Sequence, residues 1–229
     1  MMKRFYGTEV SSLDEMVLTE RHRKIFDNQL KGETQDLHNM LFIGGVGVGK
    51  TAMANIFRQM DWGNVDEIDT NDVEFSGAKG GKKLDDFIAG ITTHKGGLSA
   101  FFGGGDQARG MLYIINEFQR MAEDRQRRIN LALDDFSRSG RTIRVIATAN
   151  LDEKIARNTA DRFLVIDFGE IFDKKNKDHL ISEKQRVAKI IRDQKEIDLS
   201  DSEIDAVAKK QHDSIRSFYK ALDMASLER

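Results

Sequence analysis

Eight consecutive residues, Gly44-Gly45-Val46-Gly47-Val48-Gly49-Lys50-Thr51, have the types and spacing that hold a polyphosphate. They match G-x-x-x-x-G-K-[ST] at every fixed position. Four glycines let backbone N–H groups turn inward around an anion. The apolar run Met40–Ile43 before them reads as a buried parallel strand, and Thr51–Phe57 after them has helical spacing. A helix N-terminus placed there adds partial positive charge. Lys50 is expected to reach the β- and γ-phosphates of ATP, and the Thr51 hydroxyl to meet Mg²⁺. The expected phosphate-lining set is therefore Gly44, Gly45, Val46, Gly47, Val48, Gly49, Lys50, Thr51 and Ala52.

A second apolar strand ends in Asn116-Glu117. In phosphate-loop ATPases such a strand delivers two acidic side chains. The first orients Mg²⁺ through water, here the place of Asn116. The second polarises the attacking water, here the place of Glu117. Another strand runs into Thr148-Ala149-Asn150, which sets the Asn150 amide at the carboxyl edge of the sheet, where open α/β sheets bind ligands. Arg162 precedes the last strand and so falls on the opposite edge, unsuited to its own nucleotide but available to a neighbour's.

Two further groups carry candidate contacts. Lys79, Lys82 and Lys83 precede an expected helix, and Arg120, Arg125, Arg127 and Arg128 crowd another. Lys79, Lys82, Lys83 and Arg127 are the expected DNA-phosphate contacts, with Glu123 and Asp124 interleaved in the second group. Phe101 and Phe102 stand between glycines in the stretch 96–105; adjacent aromatics there cannot both face one core, which marks them as a partner surface.

The elements that must position these residues alternate. A helix is expected over Arg21–Leu30, then strands at Met40–Ile43, Val65–Asp69, Met111–Ile115, Ile143–Ala147 and Phe163–Ile166, with helices at about Leu84–Ile91 and Ala122–Phe136. This pattern predicts an α/β fold, a five-stranded parallel sheet with helices on both faces. After a charged linker at Asp173–Lys177, helical spacing over His179–Lys195, Asp201–Gln211 and Ser214–Leu227 predicts a small all-α lid. The expected division is a nucleotide-binding domain over 1–172 and a three-helix lid over 173–229.

Composition bounds the rest. A net charge of −2 over 229 residues neither demands nor excludes nucleic acid. No apolar run reaches the ~18 residues of a membrane span, and the first residues lack the apolar core of a signal peptide. There is no cysteine, hence no disulfide or thiol chemistry, and a cytoplasmic location is expected. About 11 prolines would be ordinary for this length, and none is present, which points to a recoded or designed sequence.

The order of phosphate loop, acidic strand, strand-end Asn, arginine and helical lid resembles the AAA+ ATPases. It is most similar to the sliding-clamp loader subunits of T-even-like bacteriophages. The resemblance is carried by Leu13-Asp14-Glu15, the run Leu41–Ala54, Ile114–Phe118, Gln126-Arg127, Thr148–Asn150, Asp161–Phe163 and Ser214–Arg216. It implies that Asn150 is a sensor, that Arg162 is a finger acting on the next subunit, and that Arg216 is a lid arginine touching ATP. It also implies companion subunits in a ring or spiral, a sliding clamp that takes the wedge Phe101-Phe102, and primer–template DNA. Four departures stand out. Gly45 replaces the usual Pro, Asn116 the usual Asp, and Asp161-Arg162-Phe163 the usual Ser-Arg-Cys, and the sequence stops where a helical collar would begin. The alternatives are a helicase loader or transposition ATPase of the same superfamily, or an ATP-binding module whose hydrolysis Asn116 has impaired.

Overall fold

A computed structural model describes residues 4–7, 9–70, 77–93, 110–139, 143–150, 155 and 157–227. The chain falls into two compact units, each assembled from discontinuous stretches.

The unit formed by Gln29–Ile43 and Phe57–Ile166 carries the sheet. Its strands are β1 (Met40–Ile43), β2 (Asn64–Asp69), β3 (Met111–Asn116), β4 (Ile143–Ala149) and β5 (Leu164–Asp167), in the order β2-β3-β4-β1-β5. The sheet is parallel, as expected. Met40 lies beside Ile146 and Ile43 beside Ala149, while Ile115 lies beside Ala147 and Asp69 beside Asn116. β1, β3 and β4 therefore finish at one edge. The inner strands are near-continuous apolar runs, as burial on both faces demands. The outer strand β2 keeps only Ile68 buried and exposes acidic side chains, which discourages pairing with another chain.

Helices α3 (Gly77–Thr93) and α4 (Glu123–Ser139) supply Leu84, Ile88, Ile129 and Leu133 to the core over this sheet. α3 begins about two turns earlier than the Leu84 expected from the sequence. Lys79, Lys82 and Lys83 thus lie within the helix rather than ahead of it, despite Gly80 and Gly81. Asn39 ties the entry of β1 to both neighbours: its side-chain oxygen accepts from Val145 N and its carbonyl from Leu164 N.

The other unit holds Met1–Asn28, Gly44–Ile56 and Asp167–Arg229. α1 (Glu20–Lys31) and α2 (Lys50–Arg58) begin or lie there, with the C-terminal helices α6 (Lys177–Lys195), α7 (Asp201–Lys209) and α8 (Ile215–Leu227). A four-residue helix, α5 (Arg157–Ala160), belongs to the sheet unit. Val187, Ile191, Ile204, Val207, Phe218 and Leu222, recurring at helical spacing, close one apolar core. Ser200 and Glu203 form a reciprocal capping box that starts α7. Backbone N–H groups of Phe5 and Tyr6 donate to the Asp223 carboxylate and tie the N-terminal segment to α8. Glu183 on α6 is nearly buried. Burial would raise its pKa, but hydrogen bonds from Arg186 and Arg23 outweigh this and hold it below the ordinary range. The expected second glycine stretch, with Phe101 and Phe102, lies outside the described residues. Among the described residues no helix is long and apolar enough to cross a membrane.

Candidate functional site

The glycine loop takes the form its sequence requires. Gly44, Gly47 and Gly49 have φ of 140°, 77° and 107°, values that side chains with a Cβ rarely adopt. Lys50 opens α2, is buried, and donates from Nζ to the carbonyls of Gly44 and Gly45 at 2.8 and 2.7 Å. The ammonium thus spans the concave side of the loop. Thr51 is exposed beside it, and Val46 at the tip is 61% exposed. The C-terminal helical region contributes directly. Arg216 N donates to Gly47 O at 3.1 Å, and a Cβ on Gly47 would lie 2.8 Å from Arg216 Cβ. The lid residue expected to touch nucleotide therefore sits against the phosphate loop. A Cβ on Gly49 would meet Met16, and one on Gly44 would meet Gly169 and Phe168. These residues fit a bound nucleoside triphosphate: inward-turned backbone, one buried ammonium, and a helix N-terminus. ATP when bound would supply the phosphoanhydride, held by Lys50 and the loop N–H groups; Mg²⁺ would supply charge neutralisation, with Thr51 as its protein hydroxyl.

The sheet unit holds a second cluster at the ends of β3 and β4. Glu117 follows β3 in the left-handed region, with φ 57° and ψ 41°. Such a conformation persists only where the surroundings over-determine it, and it concentrates at functional sites. The surroundings here are explicit. The Glu117 carbonyl accepts from Thr70 Oγ1 at 2.7 Å. Asn150 Nδ2 donates to both carboxylate oxygens of Glu117, at 2.8 and 2.7 Å, and Gln119 Nε2 donates to one of them at 2.7 Å. The sequence-predicted pair Glu117 and Asn150 is thus brought together.

Asn116 behaves otherwise than its expected place beside Mg²⁺. Its amide is buried, donating from Nδ2 to Glu67 Oε1 at 2.8 Å and accepting from Thr148 Oγ1 at 3.0 Å. Glu67 in turn pairs with Arg58 at 2.9 Å. The amide is occupied with its own sheet, so Asn116 is a poor fit to the cation. Among the described residues no group of three or more His, Cys, Asp or Glu could hold a metal ion.

Arg162 rests on Asp134. Its Nε and Nη2 form a two-point contact with the Asp134 carboxylate at 2.8 and 2.7 Å, and Nη1 donates to Asn158 O. The Asp134 hydrogen bond raises the guanidinium pKa still further. The second basic group is largely neutralised: Arg125 and Arg128 share Asp85, and Arg127 pairs with Glu123 at 2.7 Å. Hydrogen bonding from Arg125 holds the Asp85 carboxyl below its ordinary range. Lys82 is exposed; the side chains of Lys79 and Lys83 lie outside the described residues. Sequence reasoning missed Glu67, Thr70, Gln119 and Asp134 as partners of the site, since each depends on strand register or helix packing.

Residues 40–170 match the family described as ATPase family associated with various cellular activities. The chain belongs to this AAA family. No curated protein matches the sequence. Among solved structures, the RuvB Holliday junction branch migration motor of Thermotoga maritima superposes with a TM-score of 0.62 at 19% identity, covering 93% of this chain and 63% of that one. AMPPCP-bound DnaA from Aquifex aeolicus gives 0.57 at 15% identity, over 96% and 66%. A structure described as a DNA replication initiation factor gives 0.52 at 16%, over 95% and 64%. These likenesses are of fold, and this chain spans about 63% of the RuvB chain.

Proposed function

We propose that this chain binds and hydrolyses ATP as a subunit of a DNA-replication assembly, and that the assembly loads a sliding clamp on primed DNA. The observation that carries the ATP reading is the contact of Arg216 with Gly47 in a loop already bridged by Lys50. In this reading the loop from Gly44 to Ala52 holds the phosphates, and the lid (173–229 in chain order, after a nucleotide-binding domain over 1–172) senses them through Arg216. Glu117 accepts the proton of the attacking water, with Asn150 holding its carboxylate. Arg162 acts on the γ-phosphate of the next subunit, so turnover requires a ring or spiral in a cytoplasmic setting. DNA is held through phosphates by Lys82, with Lys79 and Lys83, and without regard to sequence. Phe101 and Phe102 anchor the clamp.

A second reading, an initiator- or helicase-loader-type ATPase, draws on the DnaA and initiation-factor likenesses in fold. The test is ATP turnover of the chain with and without primed DNA and a replicative clamp. Stimulation by both together is expected, with loss of ATP binding in Lys50→Ala. Turnover indifferent to the clamp but raised by a replicative helicase favours the second reading. Intact ATP binding without turnover would leave a nucleotide-binding module whose hydrolysis has lapsed.

A further inference from the structure

We infer that Gln119 is a positioning residue for the catalytic carboxylate: its side-chain amide, together with Asn150, fixes Glu117 for proton acceptance. The inference rests on the hydrolytic reading above. Gln119 lies in the 3-10 turn Phe118–Arg120, directly after the left-handed Glu117. That turn swings its amide back, and Nε2 reaches Glu117 Oε2 at 2.7 Å. Asn150 reaches the same carboxylate from the end of β4. Donors from two directions fix the plane of the carboxylate, which otherwise rotates freely about its terminal torsion. A general base must hold its open lone pair within hydrogen-bond reach of the water it deprotonates.

The other end of the same amide argues that this bond, rather than packing, is the reason for a polar residue there. Gln119 Oε1 is buried and has no hydrogen-bond partner among the described residues. Turning the amide over would not help, because it would set Oε1 against Glu117 Oε2. Neither orientation satisfies the side chain completely. A buried acceptor left unpaired is costly, whereas an apolar side chain of the same shape is nearly neutral or stabilising. The fold alone would be served as well by leucine or methionine. A residue that costs stability beside a strained catalytic carboxylate is the pattern of a functional site.

The experiment compares wild type, Glu117→Gln, Gln119→Leu and Gln119→Met in ATP turnover, binding of a fluorescent ATP analogue and thermal melting. We expect kcat to fall tenfold or more in both Gln119 variants. KM and analogue affinity should stay within twofold, and the melting temperature should be unchanged or higher. A purely structural residue gives the opposite pattern, with lowered melting in both variants, and that result overturns the inference. Wild-type kcat in both variants, with turnover abolished by Glu117→Gln, overturns it while sparing the hydrolytic reading. Wild type that binds the analogue but never turns over ATP overturns both.

Discussion

Replacing Asn116 by Asp would change more than one charge. The side chain donates to Glu67 at 2.8 Å, so the single variant sets two carboxylates in contact and loses a buried hydrogen bond. A cost of about 1–3 kcal/mol is expected, or roughly 2–12 °C of melting temperature for a chain of this size. Asn116→Asp alone is therefore a poor test of what the missing carboxylate does, and a paired variant is the better one. Asn116→Asp with Glu67→Gln reverses the donor and acceptor and keeps the bond. It should regain stability and show steeper Mg²⁺ dependence of turnover, read by melting and by Mg²⁺ titration. A double variant no more stable than the single one counts against the pairing. Gly47→Ala is the matching test in the phosphate loop. At φ 77° with Arg216 Cβ 2.8 Å from the new methyl, about 1–2 kcal/mol of strain is expected, with loss of ATP-analogue binding. At this scale the sequence was legible where neighbours along the chain define the chemistry, as from Gly44 to Thr51. It was silent on Glu67 and Gln119. Their partners are set by the register of β2 on β3 and by a left-handed residue, neither of which leaves a spacing signal.

Elements were legible where one periodicity ruled. The inner strands and the three C-terminal helices stand within a few residues of expectation, because apolar period and turn residues agree there. The sequence predicts too short an α3 because Gly80 and Gly81 lower helix propensity, while Leu84, Ile88 and Ile91 bury a face that offsets it. One misfit inside an element is a lysine. Lys184 on α6 is 2% exposed, with Nζ over the Phe218 ring, and burial pushes its pKa down to about 8. The folded value lies below the ordinary value of 10.5, so the charged form is penalised by folding. That penalty is complete below pH 8 and is relieved as pH rises from there toward 10.5. Lys184→Met, of similar length, should therefore raise the melting temperature by a few degrees near pH 7, about 1 kcal/mol, and by less at pH 10. Melting curves at the two pH values decide this, and equal shifts would remove the titration of Lys184 as their cause.

At the scale of the molecule the question is whether one chain completes its own site. Arg162 stands just ahead of β5, at the edge opposite to the ends of β1, β3 and β4. Glu117 and Asn150 stand at those ends, so within one sheet unit the arginine and the base occupy opposite edges. The guanidinium rests on Asp134, half-exposed, in a contact that a phosphate of a neighbouring copy would have to replace. The action in trans proposed above agrees with this placement and is testable by mixing. Arg162→Ala supplies an intact Glu117, and Glu117→Gln supplies an intact Arg162. In a ring mixed at equal amounts, about a quarter of the interfaces pair one good half with the other. Each variant alone should be inactive while still binding ATP, and the mixture should recover roughly that quarter of wild-type turnover. Asp134→Asn weakens the resting contact without touching the base, so its rings should turn over at least as fast as wild type. A mixture as inactive as its parents, with assembly intact by light scattering, would mean that Arg162 serves the Asp134 pair alone and that the neighbour's site is completed by another group.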